Sequence, residues 1–187
     1  MNLDVSTIEK RITGEFPDMV WDFEMKHDIL TFSASPDVCK RLIRYMHEDE
    51  LLNFNFLTDL CGVHLPDNEP DKQFAVVYLL HNWVENIRVR VKTFLPGIDP
   101  ETDTVCDIFA SANWMERETY DFYGIKFTGH PKLKRILNHD DMTVFPLRKE
   151  YPLEDRFRTD KDDRFFGRKT SPESEGRDLY IENKEKK

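Results

Sequence analysis

Apolar side chains recur along this chain with two periods. Val5, Ile8, Ile12 and Phe16 fall at helical spacing. Ser6–Glu9 (STIE) ahead of them reads as a capping box, and Pro17 closes the helix. Trp21, Phe23 and Met25 then alternate with Asp22, Glu24 and Lys26, the period of a half-buried strand. His27-Asp28 predicts a turn into a second strand, Ile29–Ser33. Ser35-Pro36 marks a helix start, with serine capping and proline in the first turn. Val38, Leu42, Tyr45 and Met46 supply that helix with a buried face.

Leu51–Leu60 is strongly apolar and reads as a strand, and His64–Lys72 reads as a polar loop with two prolines. Phe74–Leu80 and Ile87–Phe94 form a hairpin around His81–Asn86. Val89 and Val91 alternate with Arg88, Arg90 and Lys92, so one sheet face is basic and either exposed or covered by a partner. Thr102–Phe109 has no assignable type. Ser111 is placed to cap a helix from about Asn113 to Tyr123, and Gly124 stands where a left-handed C-cap belongs. The order is roughly αββαβββα, and hairpins dominate. The expected fold is a single-domain α+β structure over residues 1–149, mostly antiparallel sheet with flanking helices. From Glu150 to Lys187 large apolar residues are few and without period. This segment cannot build its own core and is expected to be an extended C-terminal arm ordered by partners, with its last residues frayed.

Charge adds one element to this picture. The formal net charge is -9, which argues against a general nucleic-acid binder. It is unevenly spread, with -12 over residues 1–125, +4 over 126–149 and -1 over 150–187. The three cysteines, Cys39, Cys61 and Cys106, contain no CxxC pair, so their spacing offers neither a zinc site nor an iron–sulfur cluster. Their odd number, with no apolar signal core in the first residues, fits a reducing cytoplasm. No window approaches the roughly 20 apolar residues of a membrane span, so membrane attachment would have to come through a partner.

The chemistry of the chain concentrates in Trp114–Asp141. There Glu116, Arg117, Glu118 and Asp121 interleave with Trp114, Tyr120, Phe122 and Tyr123 on the predicted helix. A solvated face does not need these aromatics and a core helix does not need these charges. The mixture points to a surface buried against another protein, with ion pairs fixing register, Arg117 and Asp121 being spaced i,i+4 for one such pair. No nucleophile or oxyanion motif accompanies the carboxylates, so ion pairing outweighs acid–base catalysis. His27, His47, His64 and His81 read as surface histidines. His130 and His139 near Asp140 and Asp141 lack metal-ligand spacing, which leaves a metal hydrolase as a minor alternative. A free cytoplasmic adaptor is another. No GxGxxG, Walker loop or GxSxG is present.

The stretch Asn113–Leu137 (NWMERETYDFYGIKFTGHPKLKRIL) closely resembles the signature of the thirty-kilodalton subunit family, the C subunit of proton-pumping NADH:quinone oxidoreductase, respiratory complex I. That family runs N-W-x-E-R-E, Y-D-x-x-G-I-x-F-x-G-H-P, L-x-R-I-L and P-L-R-K-[DE]-[YF]-P. The last element stands here as Pro146–Pro152 (PLRKEYP). The resemblance spans about Ile29 to Leu153. It departs from the family at Val144-Phe145, where Gly-His is common, and in the tail around Asp162–Arg168.

The resemblance implies a peripheral component on the cytoplasmic side of a bacterial inner membrane, packed against the terminal-cluster subunit and the quinone-cavity subunit. It implies no cofactor, catalytic residue or metal in this chain. The whole complex uses FMN, iron–sulfur clusters, NADH and a quinone to couple electron transfer to proton translocation. The same scaffold role in a membrane-bound hydrogenase or ferredoxin-driven dehydrogenase is the nearest alternative. The expected partner-facing residues are Glu116, Arg117, Glu118, Asp121, Tyr123, His130, Arg135, Arg148, Lys149 and Tyr151.

Overall fold

The computed structural model describes residues 3–151. The expected arm from Glu150 onward therefore lies outside the described residues, apart from Glu150 and Tyr151.

Helix α1 (Val5–Glu15) begins two residues earlier than the capping box predicts. Asp4 is the N-cap, its Oδ1 accepting the Thr7 N–H at 2.8 Å, while Ser6 donates its hydroxyl to Asp4 Oδ2. Strands β1 (Val20–Lys26) and β2 (Ile29–Ala34) pair antiparallel around His27 and Asp28. Both turn residues have positive φ, the geometry that matches a tight turn to strand twist. A bulge between Trp21 and Glu24, with Asp22 also at positive φ, turns Phe23 onto the Phe32 ring. Helix α2 (Pro36–Glu48) has proline in its first turn, but Ser35 makes no side-chain cap bond. Its buried face is Val38, Cys39, Leu42, Ile43 and Met46, and Tyr45 lies at the margin.

The strand expected over Leu51–Leu60 starts only at Phe56. Leu51–Asn55 is a turn held by Asp49, whose Oδ1 accepts the N–H groups of Leu51 and Leu52. Leu52 and Phe54 are nonetheless fully buried, so the apolar run there reports a buried turn rather than a strand. The long strands β3 (Phe56–His64), β4 (Phe74–Asn82) and β5 (Ile87–Leu95) follow. The sheet order is β1-β2-β5-β4-β3, antiparallel except for the β2–β5 pair. Two three-residue strands, β6 (Glu101–Asp103) and β7 (Lys126–Thr128), form a parallel ladder on either side of α3 (Ala112–Tyr123). They are too short to leave a period in the sequence.

Cross-strand pairing sets the two sheet faces. Leu60 pairs with Tyr78, Tyr78 with Val91 and Val91 with Phe32, so these side chains share one face. Helix α3 packs on that face through Gly62, and the core fills the space beneath α1 and α2. The opposite face carries Arg88, Arg90 and Lys92, as expected, with Val77, Leu79 and Cys61 beside them. Among the described residues no helix is long and apolar enough to cross a membrane.

Gly62 is where α3 comes closest to the sheet. A Cβ there would lie 2.7 Å from Tyr123 Cδ2 and 2.9 Å from Thr119 Cγ2. Gly62→Ala is expected to lower stability by about 1–3 kcal/mol through overpacking. Gly14 lies within α1 with nothing within 4 Å of the same position. Gly14→Ala is expected to raise stability by about 0.5–1 kcal/mol through helix propensity. Urea midpoints of the two variants check both signs, and a tolerated Gly62→Ala would mean that α3 can lift from β3.

Candidate partner-binding surface

Helix α3 and the chain that follows it form one polar assembly. The last four carbonyls of a helix have no partner within it. Here all four are satisfied. Gly124 N–H reaches Tyr120 O, and Arg135 Nη1 donates to Asp121 O at 3.0 Å. Leu147 N–H reaches Phe122 O, and Arg148 Nε donates to Tyr123 O at 2.7 Å. Gly124 adopts the left-handed C-cap expected of it, with φ 74° and ψ 20°. A side chain there would also strike Phe145, 2.5 Å from the Cβ position. Ser111 stands before the helix but makes no side-chain cap bond.

Asp121 holds the segment after β7 in place. Its Oδ2 accepts the N–H groups of Ile136, Leu137 and Asn138 at 2.8–3.0 Å, and its Oδ1 pairs with Arg135 Nη1 at 2.7 Å. Arg135 then reaches the carbonyls of Met142 and Val144 through Nη2. Burial by itself raises the Asp121 carboxyl. The N–H groups of Asn138 and Leu137, the Arg135 guanidinium and the Ile136 N–H outweigh it and hold the group far below the usual carboxylate range. Phe145 lies between two guanidinium groups, those of Arg135 and Arg148, at 5.0 and 4.8 Å. This is one of the two positions where the sequence departs from the family signature, and the aromatic ring is packed against the helix cap.

The expected Arg117–Asp121 pair does not form. Asp121 points to the 136–138 turn, and Arg117 donates to the carbonyls of Lys134 and Arg135 and stacks on Trp114 at 5.1 Å. Glu116 is fully buried inside the chain, accepting from the Thr104 hydroxyl at 2.6 Å and the Val105 N–H at 2.8 Å. The contacts of Glu116, Asp121, Arg135 and Arg148 are thus made within the chain. Tyr123 packs on Gly62, and His130 sits against the Asn113 carbonyl at 3.2 Å. Glu118, Lys149 and Tyr151 are exposed.

Two histidines expected at the surface are buried. His64 stacks on Phe74 and accepts the Lys149 N–H at 2.8 Å, and burial lowers its pKa. His81 is covered at the end of β4. His139 pairs with Asp141 in an exposed turn, away from His130, so the metal set weighed from the sequence is not assembled. The chain instead brings Cys106, Glu116 and His130 together. Sequence spacing carries no sign of this, because β6 and β7 must pair before these three meet.

What remains outside the polar assembly is an exposed surface on it. Trp114 is 61% exposed and Leu137 64%, with Leu147 and Tyr151 also open. Lys132, Lys134 and Lys149 stand exposed in the same segment. Aromatic and aliphatic groups in a fixed frame, rimmed by charge, are the composition of a protein interface.

The Asp121 network generates a signed expectation. Asp121→Asn leaves Arg135 buried without its charge partner, a change that costs about 3–5 kcal/mol at neutral pH. The parent's carboxyl is depressed in the folded state. Its contribution is therefore present above the unfolded value near ~3.9 and is lost as pH falls from there through the folded value. The gap between parent and variant should narrow as pH drops below about 4, read from urea unfolding at a series of pH values. A gap independent of pH would remove the charge from the argument.

Comparison with known proteins agrees with this architecture. Residues 32–157 match the family model described as respiratory-chain NADH dehydrogenase, 30 Kd subunit. The chain is similar to the C 2 subunit of NADH-quinone oxidoreductase from Rhizobium etli (strain CIAT 652), 38% identical over 154 residues that make up 82% of this chain and 80% of the relative. It is 36% identical to the C subunit of NADH-quinone oxidoreductase from Roseiflexus sp. (strain RS-1), covering 82% and 87%. Among solved structures, the trypsin-resistant fragment (1–134) of Nqo5 superimposes with a TM-score of 0.57 at 33% identity, over 71% of this chain and all of that one. A chain of the membrane-bound sulfane sulfur reductase, an archaeal respiratory membrane complex, superimposes with a TM-score of 0.68 at 27% identity, over 84% and 96%. The chain belongs to the family of the 30 kDa subunit of respiratory-chain NADH dehydrogenase, the C subunit of NADH-quinone oxidoreductase.

Proposed function

We propose that this chain is a scaffold of the peripheral arm of complex I, seated on the cytoplasmic side of the cell inner membrane through its partners. It holds the terminal-cluster subunit and the quinone-cavity subunit at fixed separation for electron transfer from NADH to quinone. It carries none of the FMN, iron–sulfur clusters, NADH or quinone itself and performs no chemistry alone.

The observation that carries this reading is the arrangement around α3. The signature charges Arg117, Asp121, Arg135 and Arg148 are used internally, on helix carbonyls, turn carbonyls and turn amides. The outcome is a rigid platform with Trp114 and Leu137 exposed on it. A protein whose task is to fix distances needs such a platform more than it needs a cleft. The likeness to the sulfane sulfur reductase chain supports a second reading, the same scaffold in a related membrane complex with another electron donor or acceptor.

Affinity purification of the tagged chain in mild detergent separates the readings. Flavin- and NADH-binding subunits among the co-purifying chains support complex I, and hydrogenase- or ferredoxin-type subunits support the second. Recovery of the chain free of membrane subunits would overturn both. Trp114→Ala and Leu137→Ala are expected to leave the melting temperature of the isolated chain nearly unchanged, since both side chains are exposed. Together they should lower partner recovery at least tenfold, equivalent to about 1.4 kcal/mol.

A further inference from the structure

Cys106, Glu116 and His130 come from three separate segments, the turn after β6, the first half of α3 and the turn after β7. One ligand-type atom from each lies within 4.8 Å of the others. The Cys106 thiol is already 3.4 Å from Glu116 Oε2. A tetrahedral zinc ion, with bonds of about 2.0–2.3 Å to nitrogen, oxygen and sulfur, sets its ligands about 3.3–3.7 Å apart. Closing this cluster on an ion therefore needs side-chain adjustment and no new backbone path.

The charge balance supports the same reading. Glu116 is fully buried, and its carboxylate accepts only from neutral donors: the Thr104 hydroxyl, the Val105 N–H and the Cys106 thiol. Among the described residues no Lys or Arg forms a salt bridge with it. Asp121, five residues on, has Arg135. A bound divalent cation would supply the missing charge. His130 is held by two backbone contacts, Nε2 at the Asn113 carbonyl and Nδ1 receiving the Lys132 N–H at 3.0 Å. Metal binding at Nδ1 would release the Lys132 N–H and leave Nε2–H donating to the Asn113 carbonyl, the usual arrangement for a metal-bound histidine.

We propose that Cys106, Glu116 and His130 form a binding site for one zinc-class divalent cation, with water as the fourth ligand. Thiol, imidazole and carboxylate together suit zinc and exclude calcium and magnesium, which take oxygen donors. Cys106 and His130 are half-buried, which leaves a side open to solvent for the water. On binding, the Cys106 S–H proton passes to buffer, the sulfur–metal bond forms and the ion sheds waters. No electron moves, so the site is compatible with a chain that carries no redox group. Its effect is to tie α3 to both of the turns flanking the β6–β7 ladder.

The test uses the untagged full-length chain, stripped with chelator and titrated with Co2+ as a spectroscopic probe and with Zn2+. Expected are one equivalent of Co2+, a thiolate-to-cobalt charge-transfer band in the near ultraviolet, and displacement of that band by Zn2+. Cys106→Ala should abolish the band and weaken Zn2+ binding at least a hundredfold, and His130→Ala at least tenfold. A second variant separates loss of the ligand from unfolding of the turn. Cys106→Ser, which keeps the hydrogen bond to Glu116, should also lose the band while its circular dichroism matches the parent. Cys61→Ala and His139→Ala should leave both readouts unchanged. Absence of the band from the parent, its survival in Cys106→Ser, or its loss in Cys61→Ala overturns the site.

Discussion

The Asp121 carboxylate accepts three consecutive backbone N–H groups and one guanidinium, and most of the region beyond α3 depends on that arrangement. Residues 129–151 form no helix or strand, and none of their side chains is fully buried. They cannot fold on hydrophobic burial alone. Asp121 gives them a fixed point, and Arg135 carries the fixation onward to Met142 and Val144. Arg148 repeats the device at another carbonyl of the helix end. The end of one helix thereby organises more than twenty residues of irregular chain, because its orphan carbonyls are directional acceptors whose positions the helix sets.

Buried ion pairs of this kind add little net stability compared with an apolar replacement, since desolvation cancels much of the attraction. Their value here is geometric. Arg135 can satisfy its donors only with Asp121, Met142 and Val144 at one set of positions, whereas an apolar contact tolerates sliding. Glu116 does the same for the Thr104–Cys106 turn on the other side of α3. The helix therefore has two acidic handles, one for each segment that meets it. At Asp121 the N–H groups of Asn138 and Leu137, with Arg135 and the Ile136 N–H, outweigh burial, whereas at Glu116 burial outweighs the bonds from Thr104, Val105 and Cys106, so the two carboxyls shift in opposite directions.

Much of the fold is legible in the sequence where a period is long enough to read. The β1–β2 turn at His27-Asp28, the start of α2 at Pro36, the β4–β5 hairpin and the Gly124 cap are all visible, because turn chemistry and alternation are local signals. Leu51–Asn55 misleads because burial of Leu52 and Phe54 mimics a strand's composition, while Asp49 takes the amides a strand would need. Strands β6 and β7, at three residues each, leave no alternation to detect. The family signature marks the residues around α3 that carry the polar assembly, but their roles are not legible in it. An i,i+4 rule pairs Arg117 with Asp121 on an isolated helix. In the folded chain backbone amides and carbonyls from residues 134–138 compete for both side chains and win.

That competition bears on what a partner meets. If Glu116, Arg117, Asp121 and Arg135 were free to pair across an interface, each would have to be desolvated at the moment of association, and binding would carry that penalty. In this chain folding has already desolvated Glu116, Asp121 and Arg135 and committed their hydrogen bonds. Under the proposed function, association is left to groups that lose little on burial, among them Trp114, whose ring is already backed by Arg117, and Leu137, whose N–H is already held by Asp121. On that proposal the charged signature acts on partners indirectly. It fixes where an indole and an isobutyl group stand, and a pre-organised apolar contact contributes more to binding than the same contact on a loose segment.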